Sequence, residues 1–227
     1  MTANGLQLYS FFMSSSAHTV RIALNLKGLD YEYKSINLYR SEQYRPEYLK
    51  INPIGYVPAL KDGDLVLADS FAIAMYLEEK YPQCPLLPQD LKKKALNYQV
   101  VNVITSSTQP LVRLPITGFI ERNLGHDEMI SWAHKHYGKG FEGKHMEKAD
   151  KPLEILLKDH AGKYATGDEI SMADIFLDPI ITLSQRYKVD MNKYPLLSRL
   201  SNEYENVSAF VDAMPENQPD YFCDGTS

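Results

Sequence analysis

The chain is 227 residues long, 44% hydrophobic and 23% charged, enough for one large domain or two modest ones with ordinary cores. A formal net charge of −5 leaves no broad basic field and so argues against a nucleic-acid or anionic-membrane partner, and no stretch approaches the roughly 18 uninterrupted apolar residues of a membrane-spanning helix. The 2 cysteines, Cys84 and Cys223, are too few for a disulfide framework and lack metal-ligand spacing, while MTANGLQLYSFF lacks the features of an export signal, so a cytoplasmic location is expected.

The first elements alternate between strand and helix. "LQLYSFF" reads as a strand and is followed by "SSSAHTVRIALNLKG", in which Val20, Ile22, Ala23, Leu24 and Leu26 form an apolar stripe at helical spacing and Lys27-Gly28 is a stop. Ser14, Ser15 and Ser16 therefore fall at the start of a helix over 15–27. Unpaired amides, the positive end of the helix dipole and hydroxyl donors together favour an anion there; the simpler reading is that one serine caps the helix. "YEYKSINL" reads as a strand, "YVPALKDGDLVLAD" as two strands about Asp62-Gly63, and 70–80 as a helix. A β-α-β unit feeding a hairpin and a closing helix is a small α/β layer with a mixed sheet.

The texture changes after the proline-rich "YPQCPLLPQD". Helices are predicted over 89 to about 110, about 127 to 158, 171–186, 195–201 and 206–213, and strand signals nearly vanish. Ser171-x-x-Asp174 is a near capping box ahead of an apolar run. The expected division is an α/β domain over 1–87 and an all-α domain over 92–227. Of the 6 histidines, His126, His134, His136 and His145 lie in "HDEMISWAHKHYGKGFEGKHMEKADK". His134 and His136 would diverge on a helix, so solvated surface is favoured over a metal site there. Trp132 is read as a packing residue, and no metal is expected.

Taken together, "LYSFFMSSSAHTVRIALNLKGLDYEYKSINL", "INPIGYVPAL", "DSFAIAMYLEEKYP", "LLPQD" and "ATGDEISMADIFL" resemble the zeta class of the cytosolic glutathione transferases, which includes maleylacetoacetate isomerases. The resemblance covers nearly the whole chain. It implies a thioredoxin-like N-terminal domain, an all-helical C-terminal domain contributing an electrophile pocket, a homodimer, and glutathione as cosubstrate or cofactor. By family pattern Ser14 would donate to the glutathione sulfur with Ser15 adding to the field, lowering a thiol pKa from about 8.5 toward neutrality. Val57 before a cis-type Pro58 would hold the cysteinyl backbone, Asp69 and Ser70 the γ-glutamyl end, and Gln43 and Gln109 further parts of the tripeptide. His18 could tune the site but is given no role.

The resemblance also exposes departures. Where the class typically reads Arg-Ser-Ser-Cys-x-x-Arg, this chain has Met13, Ser14, Ser15, Ser16 and Thr19. Without the cysteine, a mixed disulfide with glutathione has no resolving thiol. Without the two arginines, the electrophile pocket of Met13, Ser16, Thr19 and Arg186 keeps one cation, Arg186 in "SQRYKVD", to pair with a carboxylate. The implied activity is glutathione-dependent cis–trans isomerisation of maleylacetoacetate-like substrates or conjugation of small electrophiles. The alternatives are conjugation or peroxidase chemistry on uncharged electrophiles, or a non-catalytic interaction protein.

Overall fold

In β1 (Leu6–Ser10) Leu6, Leu8 and Ser10 are buried while Gln7 and Tyr9 are half-exposed, the period-two pattern of a strand with one face on a core. The computed structural model describes residues 5–132 and 152–221; His134, His136, His145 and Cys223 lie outside them. Contacts divide the chain into two compact units, Met1–Pro85 with Glu205–Ser227, and Leu86–Tyr204. The sequence reading assigned everything after residue 92 to the helical domain. In the structure, residues 205–221 group with the N-terminal unit, where their polar groups are used, as described below.

After β1 the first unit continues with α1 (Ser15–Leu26), β2 (Tyr31–Ser35), a 3-10 turn (Glu42–Tyr44), α2 (Pro46–Leu49), β3 (Ala59–Asp62), β4 (Leu65–Ala68) and α3 (Ser70–Lys80). The sheet order is β2-β1-β3-β4, with β1 and β2 parallel and the other pairs antiparallel. The parallel pair requires a crossover, which α1 supplies. Gly28, at φ 64°, ends α1 beyond its Lys27 cap, as the sequence suggested. Gly63, at φ 59°, makes the hairpin turn, and Asp62 pairs with Leu65 across it. α1 and α3 pack together, with Val20, Leu24, Ile73, Ala74 and Leu77 fully buried. The 3-10 turn and α2 were not expected. Their segment carries no apolar period and is held locally, by Glu42 accepting from the Asn37 amide at 2.9 Å and Tyr48 donating to the Tyr56 carbonyl at 2.5 Å.

The second unit contains α4 (Leu91–Asn102), which runs into a π-helical turn (Val103–Thr108) and a 3-10 turn (Gln109–Val112), then α5 (Leu114–Leu124), α6 (126–132 in its described part), α7 (Pro152–Leu157), α8 (Met172–Arg186) and α9 (Pro195–Tyr204). A short α10 (Ser208–Val211) belongs to the first unit and packs on α1. Every residue from Met172 to Ile181 is buried, so α8 is the central helix, packed against α4 and α9. The amide and hydroxyl of Ser171 both donate to Asp174 Oδ2, at 2.8 and 2.7 Å. α5 falls between the predicted helices; Pro115 is tolerated in its first turn, where the missing N–H has no helical partner.

Candidate functional site

Sheet register gathers most of the predicted residues of the first unit. Tyr9 pairs with Ala59 and Ala59 with Ala68, so the C-terminal end of β1, the N-terminal end of β3 and the C-terminal end of β4 share one end of the sheet. The parallel β2 ends there too, its Ser35 paired with Ser10. The chain leaves β1 toward Ser14, enters β3 through Val57 and Pro58, and leaves β4 into Asp69 and Ser70. The loop after β2 carries Gln43, and a Cβ on Gly55 (φ 71°) would meet the Gln43 carbonyl at 3.1 Å, so the Gln43 and Val57 loops touch closely.

Ser14 is the N-cap of α1. Its extended backbone (φ −77°, ψ 113°) lets the hydroxyl oxygen accept from the Ala17 amide at 3.2 Å. The hydroxyl proton has no acceptor among the described residues. The Ser14 amide donates to the Phe11 carbonyl at 3.0 Å, closing the turn after β1. The amides of Ser15 and Ser16 have no partner among the described residues, and both side chains are half-buried, as is Met13. Donors and dipole thus converge on one accessible spot, an arrangement that stabilises an anion. Thr19 differs from its expected pocket role: it is fully buried and its hydroxyl donates to the Ser15 carbonyl at 3.2 Å. Burial and the nearby Arg21 charge hold the His18 imidazole well below its ordinary pKa, so this ring is neutral beside the site.

The Val57–Pro58 peptide is cis, and Val57 has no backbone hydrogen bond among the described residues. An extended ligand backbone can therefore pair there as an added strand. Asp69 sits at φ 79°, rare for a residue with a side chain, and its Oδ1 accepts from the Phe71 and Ala72 amides at 2.9 and 3.0 Å. That cap leaves the amide and hydroxyl of Ser70, at the first position of α3, without a partner among the described residues. Gln43 is buried with its Oε1 unpaired. An orphaned buried acceptor costs about 1–3 kcal/mol and is explained where a ligand completes it.

In the helical unit, Gln109 is buried with no partner for Nε2 among the described residues, and the neighbouring Thr108 is fully buried with none for its hydroxyl. Thr108 ends, and Gln109 follows, the π-helical turn that packs on α8, a backbone irregularity frequent at functional positions. Arg186 is exposed in the last turn of α8, where a cation also complements the helix dipole. Of the histidines in the long segment, His126 pairs with Glu121 at 2.8 Å on the surface. Among the described residues no group of His, Cys, Asp or Glu could hold a metal ion, and no helix is long and apolar enough to cross a membrane.

Sequence reasoning missed two residues. Arg21 lies within the α1 stripe yet is fully buried, donating to the Phe11 and Phe12 carbonyls at 3.4 and 3.3 Å, to Ser10 Oγ at 3.2 Å and to the Ala213 carbonyl at 3.0 Å. Asp220 is buried and accepts from the Phe12 amide, the Tyr33 hydroxyl and the Ser35 hydroxyl. A charge between Val20 and Ile22 in an apolar stripe was the visible signal for Arg21; nothing near Asp220 betrays a partner about 200 residues away.

With this geometry in place, two family models match: the glutathione S-transferase N-terminal domain over residues 4–79 and the C-terminal domain over 127–215. A zeta-class glutathione S-transferase of Euphorbia esula is 54% identical over 95% of this chain and 92% of its own. The maleylacetoacetate isomerase of Mus musculus is 40% identical over 94% of each chain. Among solved structures, a maleylacetoacetate isomerase from Methylobacterium extorquens AM1, with bound malonate and glutathione, superposes with a TM-score of 0.85 at 33% identity, covering 94% of this chain and 98% of that one.

Proposed function

Because the chain belongs to the zeta-class glutathione transferases, we propose that it binds glutathione at the end of the β2-β1-β3-β4 sheet and uses Ser14 to hold the thiol as thiolate. The observation that carries this reading is the division of labour at the Ser14 hydroxyl: its oxygen is engaged by the Ala17 amide and its proton has no acceptor among the described residues. We assign the other residues to the rest of the tripeptide. Val57 offers its backbone to the cysteinyl unit, the Ser70 amide and hydroxyl receive a carboxylate, and Gln43 Oε1 and Gln109 Nε2 offer an acceptor and a donor. Ser15 and Ser16 add amide N–H groups to the anion field.

When bound, glutathione supplies a nucleophilic thiolate that adds reversibly to a conjugated double bond and leaves it free to rotate, or displaces a leaving group. The chain's own task is to keep that sulfur deprotonated and oriented, each pKa unit being worth about 1.4 kcal/mol. We assign a maleylacetoacetate-like dianion as acceptor, with Arg186 as its cation, on the strength of the isomerase relatives. Met13 and the buried Thr19 favour a second reading, turnover of uncharged electrophiles, because neither can pair with a carboxylate. We also assign a cytoplasmic homodimer by family likeness, checked by sedimentation and fractionation.

The test is glutathione-dependent isomerisation of maleylacetone beside conjugation of an uncharged electrophile. Turnover of maleylacetone lost in Ser14→Ala and in Arg186→Ala supports the first reading. Ser14-dependent turnover of the uncharged acceptor alone supports the second. Glutathione binding without turnover of either overturns both and leaves an interaction protein.

A further inference from the structure

The turn that presents Ser14 is held from beneath by a segment from the far end of the sequence. Phe11, Phe12 and Met13 belong to no regular element, so sheet and helix hydrogen bonds do not fix their peptides. Three kinds of bond do so instead. The Phe11 carbonyl receives the Ser14 amide at 3.0 Å and Arg21 Nη1 at 3.4 Å, and the Phe12 carbonyl receives Arg21 Nη2 at 3.3 Å. The Phe12 amide donates to Asp220 Oδ2 at 3.2 Å. Asp220 is itself locked by Tyr33 on Oδ1 at 2.8 Å and Ser35 on Oδ2 at 3.1 Å, both on β2, while the Tyr221 ring stands edge-on to Phe12 at 5.5 Å. The Arg21 Nε to Ala213 carbonyl bond ties the same segment to the same guanidinium.

We infer that Asp220 is a positioning residue of the glutathione site: by fixing the Phe12 peptide against β2 it sets where the Ser14 hydroxyl points. The inference rests on the assignment of Ser14 to thiolate stabilisation. Its physical basis is that a bond to a buried carboxylate is stronger than one between neutral groups, and that a donor misplaced by about an ångström loses much of its effect on a developing or resident charge. The C-terminal segment is thus part of the active-site apparatus of the first unit.

The test compares the full chain carrying Asp220→Ala, Asp220→Leu and Asp220→Asn with wild type and Ser14→Ala. Two quantities are read: hydrogen exchange at the Phe12 and Ser14 amides, and the separate kcat and KM for glutathione over a pH series. Asp220→Leu fills the vacated volume, so it serves where the alanine variant does not fold. The expected result is exchange at both amides faster by at least about tenfold, kcat lower by about tenfold with its pH profile moved to higher pH, and KM changed less than kcat. Asp220→Asn keeps one oxygen for the Phe12 amide and is expected to recover most of kcat. Unchanged exchange at Phe12 and Ser14 in the folded Asp220→Ala or Asp220→Leu chain overturns the inference, and so does faster exchange with an unmoved pH profile. If Ser14→Ala itself leaves the profile unmoved, the assignment of Ser14 fails, and the exchange data alone decide whether Asp220 holds the turn.

Discussion

The two halves of the candidate site are built on different principles. Around Ser14, Val57 and Ser70, the donors are backbone amides and short hydroxyls fixed by helix starts and by strand register, with the cap oxygens of Ser14 and Asp69 already engaged by the helices they begin. The acceptor role proposed for Met13 and for Arg186 would instead rest on individual side chains, one half-buried and one exposed. The first kind of site is tolerant of side-chain drift because the fold itself supplies the groups. The second changes character with a single side chain, and Met13 offers no charge to an acceptor. The proposed glutathione half thus rests on backbone groups that the fold supplies, and the proposed acceptor half on side chains that a single substitution can change.

That contrast can be broken at its strongest point by Ser14→Ala. If one pre-oriented donor stabilises the sulfur charge, kcat falls about 10²–10³-fold with little change in glutathione binding; a loss under about threefold in steady-state kinetics would show that the amides of Ser15 and Ser16 suffice. The acceptor half is sharpened by Met13→Arg. A half-buried guanidinium at the mouth of α1 should raise kcat/KM for a dicarboxylate by about 10–100-fold, equivalent to about 1.5–3 kcal/mol from a charge-assisted bond, and leave an uncharged electrophile unaffected. An equal effect on both acceptors would place Met13 away from the acceptor's carboxylates.

A smaller effect concerns the floor beneath the turn. His18 has its folded-state pKa depressed by burial and by Arg21, so the unfolded chain binds this proton more readily. Its contribution to stability is complete above the unfolded value of about 6.5 and is lost as pH falls below it, at up to about 1.4 kcal/mol per pH unit. Denaturant titrations between neutral and mildly acidic pH should show that slope, and His18→Gln should remove it. Least in size is the cap of α3: Asp69→Ala should lower stability by about 1 kcal/mol and weaken glutathione binding, with Asp69→Asn milder because asparagine both caps and tolerates positive φ. Thermal melts with and without glutathione measure both.

Much of the fold was legible because its signals are local. The β-α-β unit, the hairpin at Asp62-Gly63 and the Ser171–Asp174 box are each written within a few neighbouring residues, and the structure has them. What escaped reading is non-local or runs against propensity. α5 begins through a proline and contains a glycine, yet forms because Pro115 stands in its first turn. The helix expected to reach about residue 110 leaves α geometry after Asn102, and no local pattern marks a π-helical turn. Ser14, Val57, Pro58, Asp69 and Ser70 lie at one end of the sheet because register dictates it. Thr19 does not fit its expected pocket role: at helical spacing from Ser15 its hydroxyl reaches back to the preceding turn and stays buried. The partnership of Phe12 with Asp220 depends on tertiary folding alone.

Whether the Ser14 hydroxyl keeps the glutathione sulfur ionised is read most directly from an ultraviolet titration of the thiolate of glutathione bound to wild type and to Ser14→Ala. The expected result is a wild-type thiol pKa well below the free value of about 8.5 and a rise of at least about one unit in the variant. A bound thiol that titrates at the same pH in both proteins would contradict it.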